Sequence, residues 1–360
     1  MKKIIILAVA IVLIAIVGIF LINSYDPNKN SHVTVGLVLN GSADDSSWSQ
    51  SHYESMLETA QQTGVNILYR ENVADAEITA AAEELISEGC EIVVCNSFGY
   101  GEYLEDIAAK YPDVYFYHAS GVNNSKNICT FFGRMYQIRY LCGIVAGLQT
   151  ETNEIGYVAA FPISEVNRGI NAFTLGVRSV NPDAVVHVTW TNSWVDDTAA
   201  GNASLELIEN YNIDVLAMHT DSLEPHKVAD KNGIYSIGYN FNNFKTYPDT
   251  YLTAAVWDWE NFYIPRITEC LQGDFEGRNY WEGVNTGIVS LAPLGPAAKD
   301  GILEAVDTEK ERLRSGTFDV FYGPVYDNEG NLRIAEGESM SDDAMLNSFD
   351  WYVEGVETHE

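Results

Sequence analysis

Short apolar or β-branched runs alternate with longer amphipathic segments along the chain after residue 32. This alternation is typical of parallel sheets whose strands are joined by crossover helices. The runs fall into two series of five predicted strands each. The first series is Val33–Leu39, Asn66–Arg70, Ile92–Asn96, Tyr115–His118 and Ile128–Phe131, and the second is Ile155–Ala159, Val185–Trp190, Val215–His219, Tyr235–Gly238 and Leu252–Val256. The sequence therefore predicts an α/β protein with two doubly wound lobes.

The chain has 360 residues, which is enough for two ordinary hydrophobic cores. We expect lobe 1 to contain residues 32–150 and about 256–293, and lobe 2 to contain residues 151–255 and about 294–360. The chain would cross back near Val256 and again near Pro293. Helices are predicted between the strands, at Trp48–Thr63, Ala76–Glu88, Tyr103–Lys110, Tyr136–Leu148 and Asn167–Val180.

The formal net charge of −31 excludes nucleic acid as a partner, because binding to phosphate needs clustered Lys and Arg. The cysteines lie mostly in apolar runs and none of them has a zinc-ligand spacing, so we predict buried free thiols and no metal or cofactor. They are Cys90, Cys95, Cys129, Cys142 and Cys270.

The N-terminus begins with Lys2 and Lys3 followed by the unbroken apolar run Ile4–Ile22. This run approaches the roughly 20 residues that span a bilayer, and it exceeds the usual length of a signal-peptide core. Neither small residues for a signal peptidase nor a cysteine for lipidation follows it. We therefore favour an uncleaved anchor over a cleaved signal. The lysines place the body on the extracytoplasmic face of a bacterial membrane, with residues 26–31 as a tether.

Ligands of open parallel sheets bind beyond the carboxyl ends of the strands, so the residues that follow each strand are the candidates. Aromatic, amide and carboxylate side chains dominate there, although each aromatic alone could equally pack in the core. Such a set suits a flat heteroaromatic ligand, with rings stacked on its faces and polar groups at its edge. The candidates are Asp45, Trp48, Ser97, Phe98, Ser120, Phe161, Glu165, Trp194, His219, Asp221, Tyr239, Asn240 and Trp257.

Catalytic motifs are missing from the sequence. It contains no Gly-x-Ser-x-Gly elbow, no Walker lysine loop, no His-Glu-x-x-His and no glycine-rich dinucleotide loop after the first strand. His219 and Asp221 could form an acid–base pair, but a histidine that ends a buried strand is more often a hydrogen-bonding residue. Asp44 or Asp45 is expected to cap the following helix. We therefore expect no catalytic residues and no enzyme.

A family resemblance rests on a set of segments. Each segment alone is a weak signal, but their order along the chain is specific. They are Asp45–Gln50, Phe132–Gly147, Pro162–Phe173, Val180–Pro182, Thr191–Asp196, His219–Ser222, Gly233–Tyr239 and Val256–Trp259. From about Val33 to Gly323 the chain resembles the basic membrane protein family, the purine-type substrate-binding proteins of ABC importers. The resemblance implies lobes that close on a nucleoside or nucleobase outside the membrane and deliver it to permease and ATPase subunits.

The resemblance also implies roles for individual residues. Trp48 would stack on one face of the base and Asp45 would hydrogen-bond its edge, while Trp194 or Phe161 would supply the other face. The opposite wall would be lined by His219, Asp221 and Tyr239.

Three positions depart from the family pattern. Ser120, Asn240 and Asn242 stand where nucleoside binders resemble one another in carrying Asp. These departures favour a free base, such as adenine, over a nucleoside. Two other functions stay open: a membrane-anchored ligand sensor with the same fold, and a secreted nucleoside-processing enzyme.

Overall fold

The structure is a computed structural model that describes residues 33–359. The predicted anchor at Ile4–Ile22 and the tether at residues 26–31 lie outside this range, so both stay predictions. Within residues 33–359, no helix combines the length and the apolar character that crossing a bilayer requires.

The strands of the described chain are numbered in chain order. They are β1 (Thr34–Val38), β2 (Asn66–Arg70), β3 (Cys90–Cys95), β4 (Tyr115–Ala119), β5 (Ile128–Gly133), β6 (Glu154–Ala159), β7 (Val185–Trp190), β8 (Val215–His219), β9 (Tyr235–Asn240), β10 (Tyr251–Trp257), β11 (Asn279–Glu282), β12 (Val289–Leu291), β13 (Val325–Tyr326), β14 (Leu332–Ile334) and β15 (Val356–His359).

The α-helices follow the same order. They are α1 (Trp48–Thr63), α2 (Ile78–Ser87), α3 (Gly101–Lys110), α4 (Met135–Gln149), α5 (Ser164–Val180), α6 (Asp197–Tyr211), α7 (Glu224–Asn232), α8 (Glu260–Gln272), α9 (Ile302–Arg314) and α10 (Asp342–Asn347).

Two parallel sheets form the framework. The first sheet has the strand order β11-β5-β4-β3-β1-β2, and the second sheet has the order β12-β10-β9-β8-β6-β7-β15. Only β12 runs antiparallel to its neighbour, β10, within these two sheets of the described chain. The prediction of an α/β fold with parallel sheets is therefore confirmed.

The ten predicted strands all occur, with ends within two residues of the predicted ones. Apolar runs mark them clearly because strands covered by helices on both faces are apolar throughout. The helix α1 has its predicted bounds and ends at Gly64, whose φ of 76° is the left-handed conformation typical of a C-cap. The cysteines are buried free thiols, as predicted.

The helix α4 is buried on all sides, with Leu148 as its one residue that is not fully buried. It crosses α5 so closely that a Cβ on Gly143 would lie 1.9 Å from the carbonyl oxygen of Phe173. A Cβ on Gly176 would lie 2.0 Å from the carbonyl oxygen of Tyr140. Glycine at both positions therefore allows the two backbones to touch.

The contacts of α4 differ from the predicted division of the chain at residue 150. This helix packs against α5, α9 and β10, which surround or belong to the second sheet. Its own sequence could not reveal this, because a helix that is buried on every side has no single apolar face to indicate its partner. We therefore propose that lobe 1 ends near Gly133, where β5 ends.

The chain returns to the first sheet after Trp257. There α8 packs on α1, and β11 adds to the sheet edge beside β5. It enters the second sheet again at Val289, the first residue of β12, and α9 and β15 complete that side. The predicted crossings near Val256 and Pro293 lie within a few residues of these points. The division into two lobes stays a proposal built on this sheet membership.

Candidate ligand-binding cleft

A cleft of about 440 Å³ lies where the carboxyl ends of strands from both sheets meet. Ligand pockets in proteins commonly fall between about 300 and 1,000 Å³. The cleft is lined by Asn40, Trp48, Asn96, Ser97, Phe98, Ser120, Phe132, Phe161, Glu165, Asn192, Ser193, Trp194, Val195, Asp221 and Tyr239.

Nine of the thirteen predicted site residues line this cleft. They are Trp48, Ser97, Phe98, Ser120, Phe161, Glu165, Trp194, Asp221 and Tyr239. They come together because the carboxyl ends of parallel strands share one edge of each sheet, and the two edges face one another. The other four, Asp45, His219, Asn240 and Trp257, lie outside the lining.

Trp48 is the central ring of the first-sheet wall. Its Nε1 donates a 3.0 Å hydrogen bond to the carbonyl oxygen of Asn96, which fixes the indole at the start of α1. The rings of Trp257 and Trp259 meet it edge-on, with centroids 5.7 and 5.5 Å away. The half-buried indole is therefore a rigid platform. Phe98 stands beside it on the rim, 66% exposed.

Phe161 and Trp194 form the facing wall on the second sheet. Their ring centroids are 6.0 Å apart at an interplanar angle of 61°. The loop that carries Trp194 is tied to the end of β8, because its carbonyl oxygen accepts from the backbone of Asp221 over 2.8 Å and from the hydroxyl of Thr220 over 2.6 Å. These two bonds fix the backbone of Trp194 beside the end of β8.

Two carboxylates point into the aromatic cleft. Burial, helped by the nearby carboxylates of Asp45 and Glu165 and opposed by the hydrogen bond from Asn240, raises the pKa of Asp221 to about 7. Burial also raises the pKa of Glu165, and Arg168 and Arg139 oppose that rise. The ionised form of each carboxylate is therefore unfavourable unless a hydrogen-bond donor or a positive charge lies beside it.

Cations lie behind the cleft rather than in it. Among the described residues that line the cleft there is no Lys or Arg. The guanidinium of Arg139 lies 4.1 Å from the ring centroid of Tyr239, and its NH1 donates to the carbonyl oxygen of Met218. Its Nε and NH2 are buried without a hydrogen-bond partner among residues 33–359. Such a cleft suits a neutral or cationic ligand that donates hydrogen bonds, and it disfavours an anion.

Asp45 is occupied as a helix cap. Its Oδ1 accepts from the backbone N–H groups of Ser47 and Gln50, over 2.8 and 2.9 Å, and its Oδ2 accepts from Ser49 over 2.9 Å. The N–H groups of Ser49 and Gln50 belong to the first turn of α1 and have no partner within the helix, and Ser47 directly precedes it. The capping role expected from the sequence is the one that the carboxylate performs here.

His219 lies directly behind the second-sheet wall. Its ring packs 4.7 Å from Tyr239 and 6.1 Å from Trp194, and its Nδ1 lies 3.1 Å from the hydroxyl of Tyr157. Burial lowers the pKa of His219 well below its usual value, and Arg139 lowers it further. The imidazole is therefore a neutral, hydrogen-bonding support for the wall.

Asn240 and Trp257 connect the two sheets beneath the cleft. Trp257 Nε1 donates to Asn240 Oδ1 over 2.9 Å. Asn240 Nδ2 donates to Asp221 Oδ1 over 2.6 Å and to Ser47 Oγ over 3.0 Å. Every polar atom of the Asn240 side chain is thus used within the protein. We call Ser47, Asp221, Asn240 and Trp257 the inter-sheet clasp.

The lining includes six residues that are missing from the thirteen sequence candidates: Asn40, Asn96, Phe132, Asn192, Ser193 and Val195. Five of them follow or end predicted strands, or lie in the loop beside Trp194, so the same strand-end rule identifies them. Phe132 also directly follows the predicted end of its strand at Phe131, and it lies within β5, which continues to Gly133. Its ring lies 4.9 Å from Trp257.

Two named proteins are similar to this chain over most of its length. It is 34% identical to a purine-binding protein of Brucella abortus, over 90% of this chain and 92% of that one. It is 32% identical to a putative ABC transporter glucose-binding protein of Haloferax volcanii, over 92% of this chain and 82% of that one.

Solved structures share the fold. A solute-binding protein of an ABC transporter system from Conexibacter woesei superposes with a TM-score of 0.69 at 20% identity, covering 80% of this chain and 98% of that one. A transcriptional activator of the comK gene from Bacillus halodurans gives a TM-score of 0.70 at 24% identity, covering 79% and 99%.

Residues 32–318 match the family model described as Bmp, ABC transporter substrate-binding protein PnrA-like. Substrate-binding proteins of ABC transporters act outside the cytoplasm and are not enzymes. The match includes every residue of the cleft and every strand of the two sheets except β15. The chain belongs to the Bmp family of PnrA-like ABC transporter substrate-binding proteins.

Proposed function

We propose that the chain binds a purine base, adenine-like, or the corresponding nucleoside in the cleft, and delivers it to the permease and ATPase subunits of an ABC importer. One observation carries the proposal. Aromatic rings from both sheets face one cleft that also holds two carboxylates and several amides, with no cation among its described lining residues.

The facing walls support stacking of a flat ring. Trp48 and Phe132 belong to the first sheet side, and Phe161 and Trp194 to the second. Stacking between aromatic groups favours offset or edge-on geometry and adds to the gain from burial. A ligand held between these walls would contact both lobes at once.

The polar groups suit the edge of a purine. Glu165 and Asp221 can accept from ring N–H or exocyclic amino groups, and an ionised carboxylate accepts only. Glu165 has no hydrogen-bond partner among the described residues, which leaves its oxygens for a ligand. The Brucella abortus relative named as purine-binding supports the same ligand class.

The choice between base and nucleoside rests on fewer residues than the sequence suggests. Ser120 lines the cleft, whereas Asn240 is used in the inter-sheet clasp and Asn242 accepts from the backbone of Phe244 in an exposed turn. The departure from the family pattern that bears on a ribose is therefore Ser120. Glu165 or Asp221 would hold ribose hydroxyls if a nucleoside were the ligand.

Closure of the lobes is the proposed mechanism. The clasp and the bond from Asn243 Nδ2 to the carbonyl oxygen of Ser46, 3.2 Å long, cross between the sheets at the base of the cleft. A ligand that touches both walls favours the conformation in which they are close. We propose that this closed surface is presented to the permease while residues 4–22 hold the protein at the membrane.

Ligand identification tests the proposal. The full-length chain is purified, and any copurifying ligand is identified by mass spectrometry after denaturation. Calorimetry then measures the Kd of adenine, guanine, adenosine, guanosine and D-glucose. We expect a purine or purine nucleoside to bind and D-glucose to give no heat. Binding of glucose without any purine would contradict the proposal and favour the ligand named for the Haloferax volcanii relative.

A ligand sensor is the second candidate function. It is favoured by the similarity to the Bacillus subtilis transcriptional activator protein med, 24% identical over 75% of this chain, and by the comK activator structure. Purine uptake separates the two functions. Deleting the gene for this chain in its host should abolish uptake of the labelled ligand if it serves a transporter, and should leave uptake unchanged if it is a sensor.

A further inference from the structure

A cluster of imidazole and carboxylate groups lies on the second sheet, remote from the strand ends that form the cleft. His187 is on β7, and Glu357 and His359 are on the neighbouring edge strand β15. Residues two apart on a strand point to the same face, which places Glu357 and His359 on one side. One ligand atom of each of the three side chains lies within 4.8 Å of the other two.

The nitrogen atoms of the two histidines face one another. His187 Nδ1 lies 3.1 Å from His359 Nε2, and it lies 3.6 Å from Glu357 Oε2. Two imidazole nitrogens on a tetrahedral zinc ion, each about 2.0 Å from the metal, are about 3.3 Å apart. The separation in this cluster is therefore close to that of a metal-binding pair.

Glu154 sets the tautomer of His187. Its Oε2 lies 2.6 Å from His187 Nε2, and an ionised carboxylate has no proton to donate. The Nε2 atom therefore carries the proton, and Nδ1 presents a lone pair towards His359 and Glu357. A carboxylate that accepts from the far nitrogen of a histidine is the usual support of a metal-binding imidazole.

Tyr211 covers the cluster from α6. Its ring stacks on His187 with centroids 4.3 Å apart, and on His359 with centroids 4.2 Å apart. One aromatic ring therefore holds both imidazoles side by side. Glu206, on the same helix, is close enough to act electrostatically on His359. Tyr211 and Glu154 therefore both support the cluster.

We propose that His187 Nδ1, His359 Nε2 and the carboxylate of Glu357 form a binding site for a divalent transition-metal ion such as Zn²⁺. Imidazole nitrogen and carboxylate oxygen are ligands that zinc takes, and Mg²⁺ and Ca²⁺ prefer oxygen alone. Bound metal would join β15 to β7 and fasten the C-terminal end of the chain to the second sheet. The sequence pattern predicts no metal site, because the two histidines are separated by 172 residues.

Calorimetry with ZnCl₂ tests the site on the full-length chain without a polyhistidine tag, after treatment with a chelator and removal of the chelator. We expect one Zn²⁺ per chain, at least tenfold weaker binding in both His359→Gln and Glu357→Gln, and no heat with MgCl₂. Glu336→Gln, an exposed carboxylate elsewhere, is the matched control and should bind Zn²⁺ like the unaltered chain.

The supporting role of Glu154 gives a second measurement. In Glu154→Gln, the amide can donate to His187 Nε2 and draw the proton to Nδ1, so Zn²⁺ binding should weaken roughly 10- to 100-fold. Zn²⁺ should also raise the Tm of the unaltered chain but not that of His359→Gln. Absence of Zn²⁺ binding to the unaltered chain, or equal binding by His359→Gln, would overturn the proposal and leave a hydrogen bond between two histidines.

Discussion

The side chain of Asn240, the last residue of β9, donates a 2.6 Å hydrogen bond to the carboxylate of Asp221, which lies two residues beyond the end of the adjacent strand β8. The same amide nitrogen reaches Ser47 on the first sheet side, and its oxygen accepts from Trp257. One asparagine thus joins the lining of the cleft to the contact between the sheets. Changes at Asn240 should therefore affect both stability and ligand binding.

Asn240→Ala tests the inter-sheet clasp. The substitution leaves Asp221, Ser47 and the indole N–H of Trp257 without their shared partner, and an unsatisfied buried group costs about 1–3 kcal/mol. We expect the free energy of unfolding, measured by urea denaturation, to fall by about 2 kcal/mol or more. Asn242→Ala, in an exposed turn, is the control and should change it by less than about 0.5 kcal/mol. Equal effects of the two substitutions would show that the clasp does not stabilise the fold.

The raised pKa of Asp221 predicts a pH dependence of stability. Because its folded-state pKa of about 7 exceeds the ordinary value of 3.8, the folded chain binds more protons than the unfolded chain between these values. The contribution of Asp221 to the free energy of unfolding therefore falls as the pH rises from about 4 to about 7.

Asp221→Asn removes this contribution while keeping an oxygen that accepts from Asn240. The free energy of unfolding of the variant, relative to that of the unaltered chain, should rise by roughly 2 kcal/mol between pH 5 and pH 8. Partial exposure of Asp221 makes this rise smaller than the pKa shift alone would give. Urea denaturation at the two pH values measures the difference. A constant difference across this range would show that Asp221 does not titrate there.

Alanine substitutions in the two walls test the stacking proposal. Trp194→Ala should weaken binding of the purine ligand roughly 5- to 150-fold, the equivalent of about 1–3 kcal/mol for one stacked base. Trp194 is only partly buried, so stability should change little. Trp48→Ala should abolish measurable binding and also lower the free energy of unfolding by about 2 kcal/mol, because its ring packs against Trp257 and Trp259.

The control for stacking is Tyr326→Ala, an aromatic residue 46% exposed on β13 and absent from the cleft lining. Calorimetry should give it the same Kd as the unaltered chain. Unchanged affinity in Trp48→Ala or Trp194→Ala would remove that ring from the ligand site.

The close crossing of α4 and α5 predicts an intolerant glycine. In Gly143→Ala the new Cβ would lie 1.9 Å from the carbonyl oxygen of Phe173, so the helices must separate. Overpacking of a core costs about 1–3 kcal/mol or more, and the Tm should fall by several degrees. In Gly201→Ala, on α6, the nearest atom would be 3.7 Å from the Cβ, and the Tm should stay constant or rise. A similar Tm for both variants would contradict the close approach of the α4 and α5 backbones at Gly143.

The strand-end rule found most of the candidate cleft from the sequence. Trp48, Glu165 and Asp221 lie in it because strands of known direction end at a common edge, and that direction follows from the α/β alternation. The strand-end rule does not distinguish side chains that line the cleft from side chains that pack directly behind that lining. His219 and Trp257 follow the same pattern and serve as supports.

The sequence by itself determined the class of fold, ten of the fifteen described strands to within two residues, the free cysteines and the family, because each depends on local periodicity, composition or the order of motifs. Only the tertiary structure decided the sheet that α4 joins, the use of Asn240 within the protein, and the meeting of His187 with His359. These features depend on contacts between residues far apart in the chain. Such contacts leave no periodic trace in the sequence, since packing selects partners by shape and hydrogen bonding once the sheets are in place.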